Sequence, residues 1–299
     1  MSDPYTFDSS DPLGERVADW YAETNRARAA TTTALSPTAW SLLTPTLPKS
    51  FATNAILVRD DPGADQLIAW ADDALGAYTH RYVSALCDLG DDTRAGLTAA
   101  GYQLTGLVTM ARALPGEPLA APSGVVVEAA DDDTMARLHR VLWRTEWLPG
   151  IGDDEVDQLV SRREQPVEGV TSSSWIVRDG ELDDTVSGDL AASLELHVHG
   201  WAAEIDAVAT RAPARGRRYA DALMAVGVAA AYEQGCTHAV LSALTDDWPL
   251  HWYARRGFRV VGVAWRRCAA WTACPSPRRR ERPRGAARAS SLGWRPCSS

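Results

Sequence analysis

The chain has 299 residues, 45% of them hydrophobic, and a net charge of −9, enough to bury a full core in one or two domains. No apolar run approaches the ~20 residues of a membrane span, and no basic-then-apolar leader pattern opens the chain, which predicts a cytoplasmic protein without a membrane contact. Charge is unevenly placed: nine arginines and one glutamate from Arg266 onward give +8 and leave −17 for residues 1–265, a balance that disfavours nucleic acid and mildly favours a cationic substrate.

Residues 1–37 read as an N-terminal helical segment, weakly amphipathic around Val17 to Ala29 and without a specific functional signal. A Pro-broken stretch leads into Asn54 to Arg59, a strand. A helix follows, with Leu67, Ile68, Ala71, Leu75 and Tyr78 on one stripe and Pro62 as its start signal, and then a strand from His80 to Leu86. The Pro-rich segment Leu114 to Pro122 is a linker. Beyond it the pattern gives a strand at Val125 to Val127 and a helix capped within Asp131 to Thr134 that carries Met135, Leu138, Val141 and Leu142. A second helix is expected near Asp153 to Arg163, and strands at Trp175 to Val177 and Ala191 to His199. Residues 267–299 are Arg, Pro, Ser and Ala without periodicity and are expected to be a disordered basic tail, either a contact arm or incidental sequence.

The most informative stretch is Ala203 to Thr210, which alternates acidic and apolar residues with period two, followed by the turn Arg215-Gly216-Arg217-Arg218-Tyr219-Ala220. Tyr219, Leu223, Gly227 and Ala230 then recur at helical spacing up to Gly235, and His238 to Leu244 reads as a strand. A helix N-terminus offers unpaired N–H groups and a partial positive charge, so cations there oppose helix stability and suit an anion instead; the competing reading is a solvated arginine cluster. A Walker loop is excluded because the only lysine is Lys49, and a dinucleotide fingerprint because Gly216 stands alone.

Arg215-x-x-Arg218-x-Ala220 resembles the Arg/Gln-x-x-Gly-x-Gly/Ala loop that binds the acyl-CoA pyrophosphate in the GNAT superfamily of N-acetyltransferases, with Arg218 in place of the middle glycine. Trp252-Tyr253-Ala254-Arg255-Arg256-Gly257-Phe258 is similar to the superfamily's second signature, and Asp246 to Tyr253 looks like an actinobacterial-type branch. The resemblance implies an α/β (α+β) fold with a mixed, mostly antiparallel sheet flanked by helices. It also implies acetyl-CoA as co-substrate and transfer to a primary amine of a small molecule by direct attack.

On that resemblance, Val208, Ala209, Thr210, Arg215, Gly216, Arg217, Arg218, Tyr219 and Ala220 would hold the coenzyme. Glu204 would be the general base, Asp206 its neighbour and a contact for the substrate cation, and Tyr253 the acid that protonates the thiolate. A non-catalytic acyl-CoA sensor is the alternative. His197 and His199 flank one strand face beside Glu195, but without a third ligand at plausible spacing no metal is expected, and the five cysteines show neither Cys-x-x-Cys nor an even framework. A homodimer is compatible with the sequence.

An internal echo completes the reading. Asp91-Asp92, Gly101-Tyr102 and Gly106 repeat the layout of Asp246-Asp247, Gly257-Phe258 and Gly262. The sequence is therefore expected to be a tandem of a degenerate GNAT-like half at 38–115, a linker at 116–122 and a catalytic domain at 123–266. Asp60, Asp61 and Asp65 stand where the first half would need its phosphate turn; they would repel a pyrophosphate.

Overall fold

The computed structural model describes residues 7, 11–164, 167–182 and 187–270. Most of the basic tail, residues 271–299, lies outside the described residues. One mixed sheet of eleven strands runs through the molecule in the order β1-β2-β3-β4-β11-β5-β10-β9-β8-β7-β6. The first half supplies helix α1 (Pro12–Ala27), β1 (Thr31–Ser36), β2 (Ala39–Leu43), β3 (Ala55–Val58), α2 (Ala64–Ala74), β4 (His80–Ala85), α3 (Asp91–Ala99) and β5 (Gln103–Ala113). The second supplies β6 (Glu128–Ala129), α4 (Asp132–Leu142), α5 (Asp153–Ser161), β7 (Thr171–Arg178), β8 (Leu190–His199), β9 (Ala202–Thr210), α6 (Tyr219–Glu233), β10 (His238–Leu244), α7 (Pro249–Ala254) and β11 (Arg259–Ala270). Only β3–β4 and β9–β10 pair in parallel; every other neighbour is antiparallel.

The strand order shows an exchange between the halves. β5 lies between β10 and β11, and β11 lies between β4 and β5, so each half lends its last strand to the other. The β5–β11 register runs from Arg259↔Ala111 to Cys268↔Gln103, with a shift between Val260 and Gly262. The echo seen in the sequence is carried by these units: β4–α3–β5 repeats as β10–α7–β11.

Two layers of helix cover the sheet. On one face α6 and α7 pack Leu223, Met224, Val228, Leu250 and Trp252 against Leu194, Leu196, Ala203, Ile205 and Leu241. On the other, α1 lays Val17, Trp20 and Tyr21 over Ala111, Ala202, Val240 and Val261, where the exchanged strands meet. That approach is close: a Cβ at Gly14 would fall 2.3 Å from the Val261 carbonyl oxygen, inside any permitted contact. Beside α1 on this face, α4 buries Met135, Leu138 and Leu142 against Ile176, Leu190 and Ala209. Asp131 caps α4 as expected, its carboxylate accepting the Thr134 N–H at 2.8 Å.

Several local expectations shift. The strand expected at 125–127 forms only at Glu128–Ala129, and part of the N-terminal segment is the strand β1 rather than helix. α7 starts from Trp248, whose N–H donates to the Asp247 carboxylate at 2.8 Å. β11 continues to Ala270, past the expected boundary at 266, because β4 offers it partners as far as His80. Among the described residues, no helix is long and apolar enough to cross a membrane.

Candidate functional site

β9 and β10 pair only at Ala202↔His238, Ala203↔Ala239 and Glu204↔Val240, and then diverge. The cause lies in β9. Its register with β8 slips between Ser193 and Glu195, and Ala207 takes φ 49°, a left-handed conformation costly for any residue with a Cβ. The bulge is held from both sides: Ser193 Oγ donates to the Ala207 carbonyl at 3.2 Å, and Asp206 Oδ1 accepts the Ala207 N–H at 2.7 Å. Val208, Ala209 and Thr210 therefore run along a strand edge that β10 has left. The corresponding strands of the first half do not splay, since β3 pairs with β4 up to its last residue, Val58↔Ala85.

β9 leads into a 3-10 turn at Ala212–Ala214 and then the arginine turn, which ends as the N-terminus of α6. Gly216 has φ 87° and Arg218 has φ 63°, so the position that departs from the glycine pattern keeps the left-handed backbone a glycine would favour. The arginines themselves are largely engaged. Arg215 pairs with Glu146, whose other oxygen accepts the Ala212 N–H at 2.8 Å. Arg217 is clamped by Asp179 at 2.6 Å and Glu181 at 2.7 Å, and Tyr219 also donates to Asp179, at 3.0 Å. Only Arg218 keeps most of its side chain in solvent, 63% exposed, with Asp221 Oδ2 at 3.1 Å. The turn is thus neither a bare anion cradle nor a solvated cluster: each of its three arginines meets a carboxylate of this chain, and Arg218 is the most exposed of them. A pocket of about 280 Å3 adjoins it, lined by Arg218, Asp221, Arg255, Arg256 and the linker residues Leu119 and Ala120.

Of the residues expected to do chemistry, Glu204 is the most enclosed: it is 8% exposed, because α1 covers that face and Arg28, just past the helix end, reaches the carboxylate at 2.9 Å. Burial draws the Arg28 guanidinium down, but Glu204 outweighs it and leaves its pKa raised. Tyr21 is raised well above the ordinary range, by burial and then by Glu204. Asp206, one bulge further on, is exposed. Tyr253 is half-buried on α7, edge-on to Trp252 at 5.0 Å and to Phe258 at 6.1 Å, against the α6 core. Nothing in the sequence pointed to Arg28, Glu146 or Asp179; each meets its partner across 38 to 176 residues of chain.

The acetyltransferase (GNAT) family profile matches residues 135–258. No curated protein matches the sequence. Among solved structures, a functionally unknown conserved protein from Staphylococcus epidermidis is 12% identical, with a TM-score of 0.63 over 80% of this chain and 94% of that one. A GCN5-related N-acetyltransferase from Kribbella flavida is 16% identical, with a TM-score of 0.58 over 87% and 96%. A tandem GNAT protein from the clavulanic acid biosynthesis pathway is 13% identical, with a TM-score of 0.50 over 89% and 97%. At these identities the likeness is one of fold, and it spans both halves of the chain. The splayed strands, the bulge and the turn at the N-terminus of α6 all lie inside the segment that is similar to the GNAT acetyltransferase family.

Proposed function

We propose that this protein is a cytoplasmic, acyl-CoA-dependent N-acetyltransferase that acts on a primary amine of a small molecule, and that its first half holds no coenzyme. The observation that carries the reading is the divergence of β9 from β10 after Glu204↔Val240, which opens a backbone edge leading straight to the N-terminus of α6. The residues present fit an acyl-CoA: the edge at Val208 to Thr210 for the pantetheine and acyl carbonyl, and the helix N-terminus with Arg218 for the pyrophosphate. Acetyl-CoA would supply an activated acyl thioester.

The chain's own residues then have separable tasks. An amine of pKa ~10.4 must lose a proton near pH 7, at a cost of about 4.6 kcal/mol. Glu204, paired with Arg28 at 2.9 Å, accepts that proton directly or through water. The exposed Asp206 contacts the substrate cation. The Tyr253 hydroxyl protonates the departing thiolate. The acidic body, −17 over residues 1–265, suits a cationic acceptor rather than nucleic acid.

One observation favours a second reading, a non-catalytic acyl-CoA sensor: the proposed base and two loop arginines already have partners within the chain. Calorimetric titration with acetyl-CoA, followed by CoA release across a panel of amines, tests both. Micromolar binding is expected, weakened at least tenfold when Arg215 and Arg218 are both changed to Ala. Glu204→Gln should lower turnover by about 10²–10⁴ without loss of binding, and Tyr253→Phe should lower it also. Binding without turnover on any amine would support the sensor; no binding to folded wild type would overturn both.

A further inference from the structure

The face of β8 and β9 covered by α4 holds a group of side chains that the proposed reaction leaves unused. The cross-strand pair Glu195↔Asp206 and the neighbouring His197 bring three potential ligand atoms within 4.8 Å of one another. His197 Nε2 stands 3.4 Å from Glu195 Oε2, which is the edge expected between two ligands of a tetrahedral site with bonds of roughly 2.1 Å. Ser172 holds the opposite ring nitrogen, Nδ1, at 2.8 Å, and so aims Nε2 at the carboxylates, the arrangement by which an outer hydroxyl orients a ligating imidazole.

A fourth group arrives from α4. His139 is 3% exposed, its Nε2 is buried without a hydrogen-bond partner, and that nitrogen stands 3.7 Å from Glu195 Oε1. A buried ring nitrogen left without a partner is costly unless something occupies its lone pair or takes its proton. A pocket of about 290 Å3, lined among others by Asp131, Asp132, Ser172 and His197, gives access from solvent.

We propose that Glu195, His197, Asp206 and His139 form a binding site for a first-row divalent cation of the zinc or cobalt type. Two imidazoles and two carboxylates make an N/O donor set that suits such ions better than calcium or magnesium. The cation is in competition with Arg163, whose guanidinium pairs with Glu195 and donates to Ser174 Oγ at 3.1 Å. Entry of the ion requires that guanidinium to swing away, so occupancy depends on metal concentration. Asp206 is shared with the proposed acceptor contact, which makes the ion a competitor of the amine rather than a participant in acyl transfer.

The test uses untagged, metal-free full-length protein titrated with Co2+ and followed by its visible absorption, with Zn2+ as displacing ion and thermal melting as the check on folding. It needs neither acetyl-CoA nor activity, so its outcome is independent of the proposed reaction. One equivalent of Co2+ is expected, displaced by Zn2+. Affinity should fall by at least tenfold in His197→Ala, fall by about ten- to a hundredfold in Ser172→Ala, and rise by at least tenfold in Arg163→Gln. Substoichiometric binding, unchanged binding in a folded His197→Ala, or no gain in a folded Arg163→Gln would overturn the proposal. His139→Ala removes a core side chain, so the first three variants carry the decision.

Discussion

Arg218 offers a direct measure of the backbone strain held in the arginine turn. Its φ of 63° and ψ of 21° place it in the left-handed region at the N-cap of α6. For a residue with a Cβ that conformation costs roughly 1–2 kcal/mol. Changing Arg218→Gly removes the cost but adds roughly 0.5–1 kcal/mol of unfolded-state entropy. The Arg218–Asp221 pair, three residues apart with the guanidinium 63% exposed, contributes only about 0.2–0.5 kcal/mol. Its loss is offset by removing a cation from the positive end of the α6 dipole, at least about 0.3 kcal/mol. The glycine variant should therefore be more stable than wild type by about 0.5–1 kcal/mol. Arg218→Ala loses the same charge and the same ion pair but keeps the Cβ, so it isolates the backbone contribution; it should fall below the glycine variant by a similar amount. Urea unfolding resolves this as a midpoint difference of about 0.2–0.3 M for a slope near 3 kcal/mol/M. An alanine variant as stable as the glycine variant would refute the strain argument.

Two other outcomes follow from the packing. Because β5 and β11 are exchanged between the halves, residues 1–121 and 122–270 made separately each leave unpaired strand edges at the centre of the sheet; both should aggregate or remain unfolded, and a monodisperse, natively folded 122–270 would contradict the exchange. His80 is 1% exposed, with Nε2 3.0 Å from the Asn54 carbonyl oxygen, and burial lowers its pKa from 6.5. The unfolded chain then takes up the proton first, so this contribution to stability is complete above about pH 6.5 and is lost as pH falls toward the lowered folded value. His80→Gln should flatten the acid side of the stability curve, as followed by thermal melting between about pH 7 and 5; an unchanged slope would remove His80 as a source of acid sensitivity.

Local signals in the sequence carried the elements well and the site only in part. The period-two pattern before Arg215 and the helical spacing after it located β9 and α6, and the run from His238 to Leu244 is β10 to the residue. Each of those signals lies within one element. The enclosure of Glu204 was not legible because it is not local: the burial of the β9 face comes from α1, nearly two hundred residues earlier, whose weak amphipathicity gave no hint that it roofs the centre of the sheet. The partners of Arg215 and Arg217 escaped notice for the same reason. Glu146 and Asp179 sit at the ends of other elements, and a carboxylate in a loop shows no periodicity that would mark it as a loop anchor. The third side chain of the Glu195 and His197 group was present in the sequence as Asp206, but only the β8–β9 register sets it opposite Glu195.

The two halves also show what separates a site from its echo. Both end in the same strand, helix, strand unit, and both place a parallel pair next to it. In the first half β3 has four residues, all buried, and stops where its pairing with β4 stops, so no open edge remains. Its turn is closed by the chain itself: the Asp61 carboxylate accepts the N–H groups of Gly63 at 3.0 Å and Gly90 at 2.7 Å and the Thr93 hydroxyl at 2.9 Å, filling the place an external anion would need. In the second half β9 has nine residues and a bulge, so it outlasts its pairing and leaves a backbone edge open. The difference is therefore one of strand length and one carboxylate, superimposed on a shared scaffold. It leaves the first half with a different role: through α1 it supplies Arg28 to the candidate base, and through β5 the strand next to β10. The open edge thus belongs to the second half, while the first half completes the sheet and places Arg28 beside Glu204.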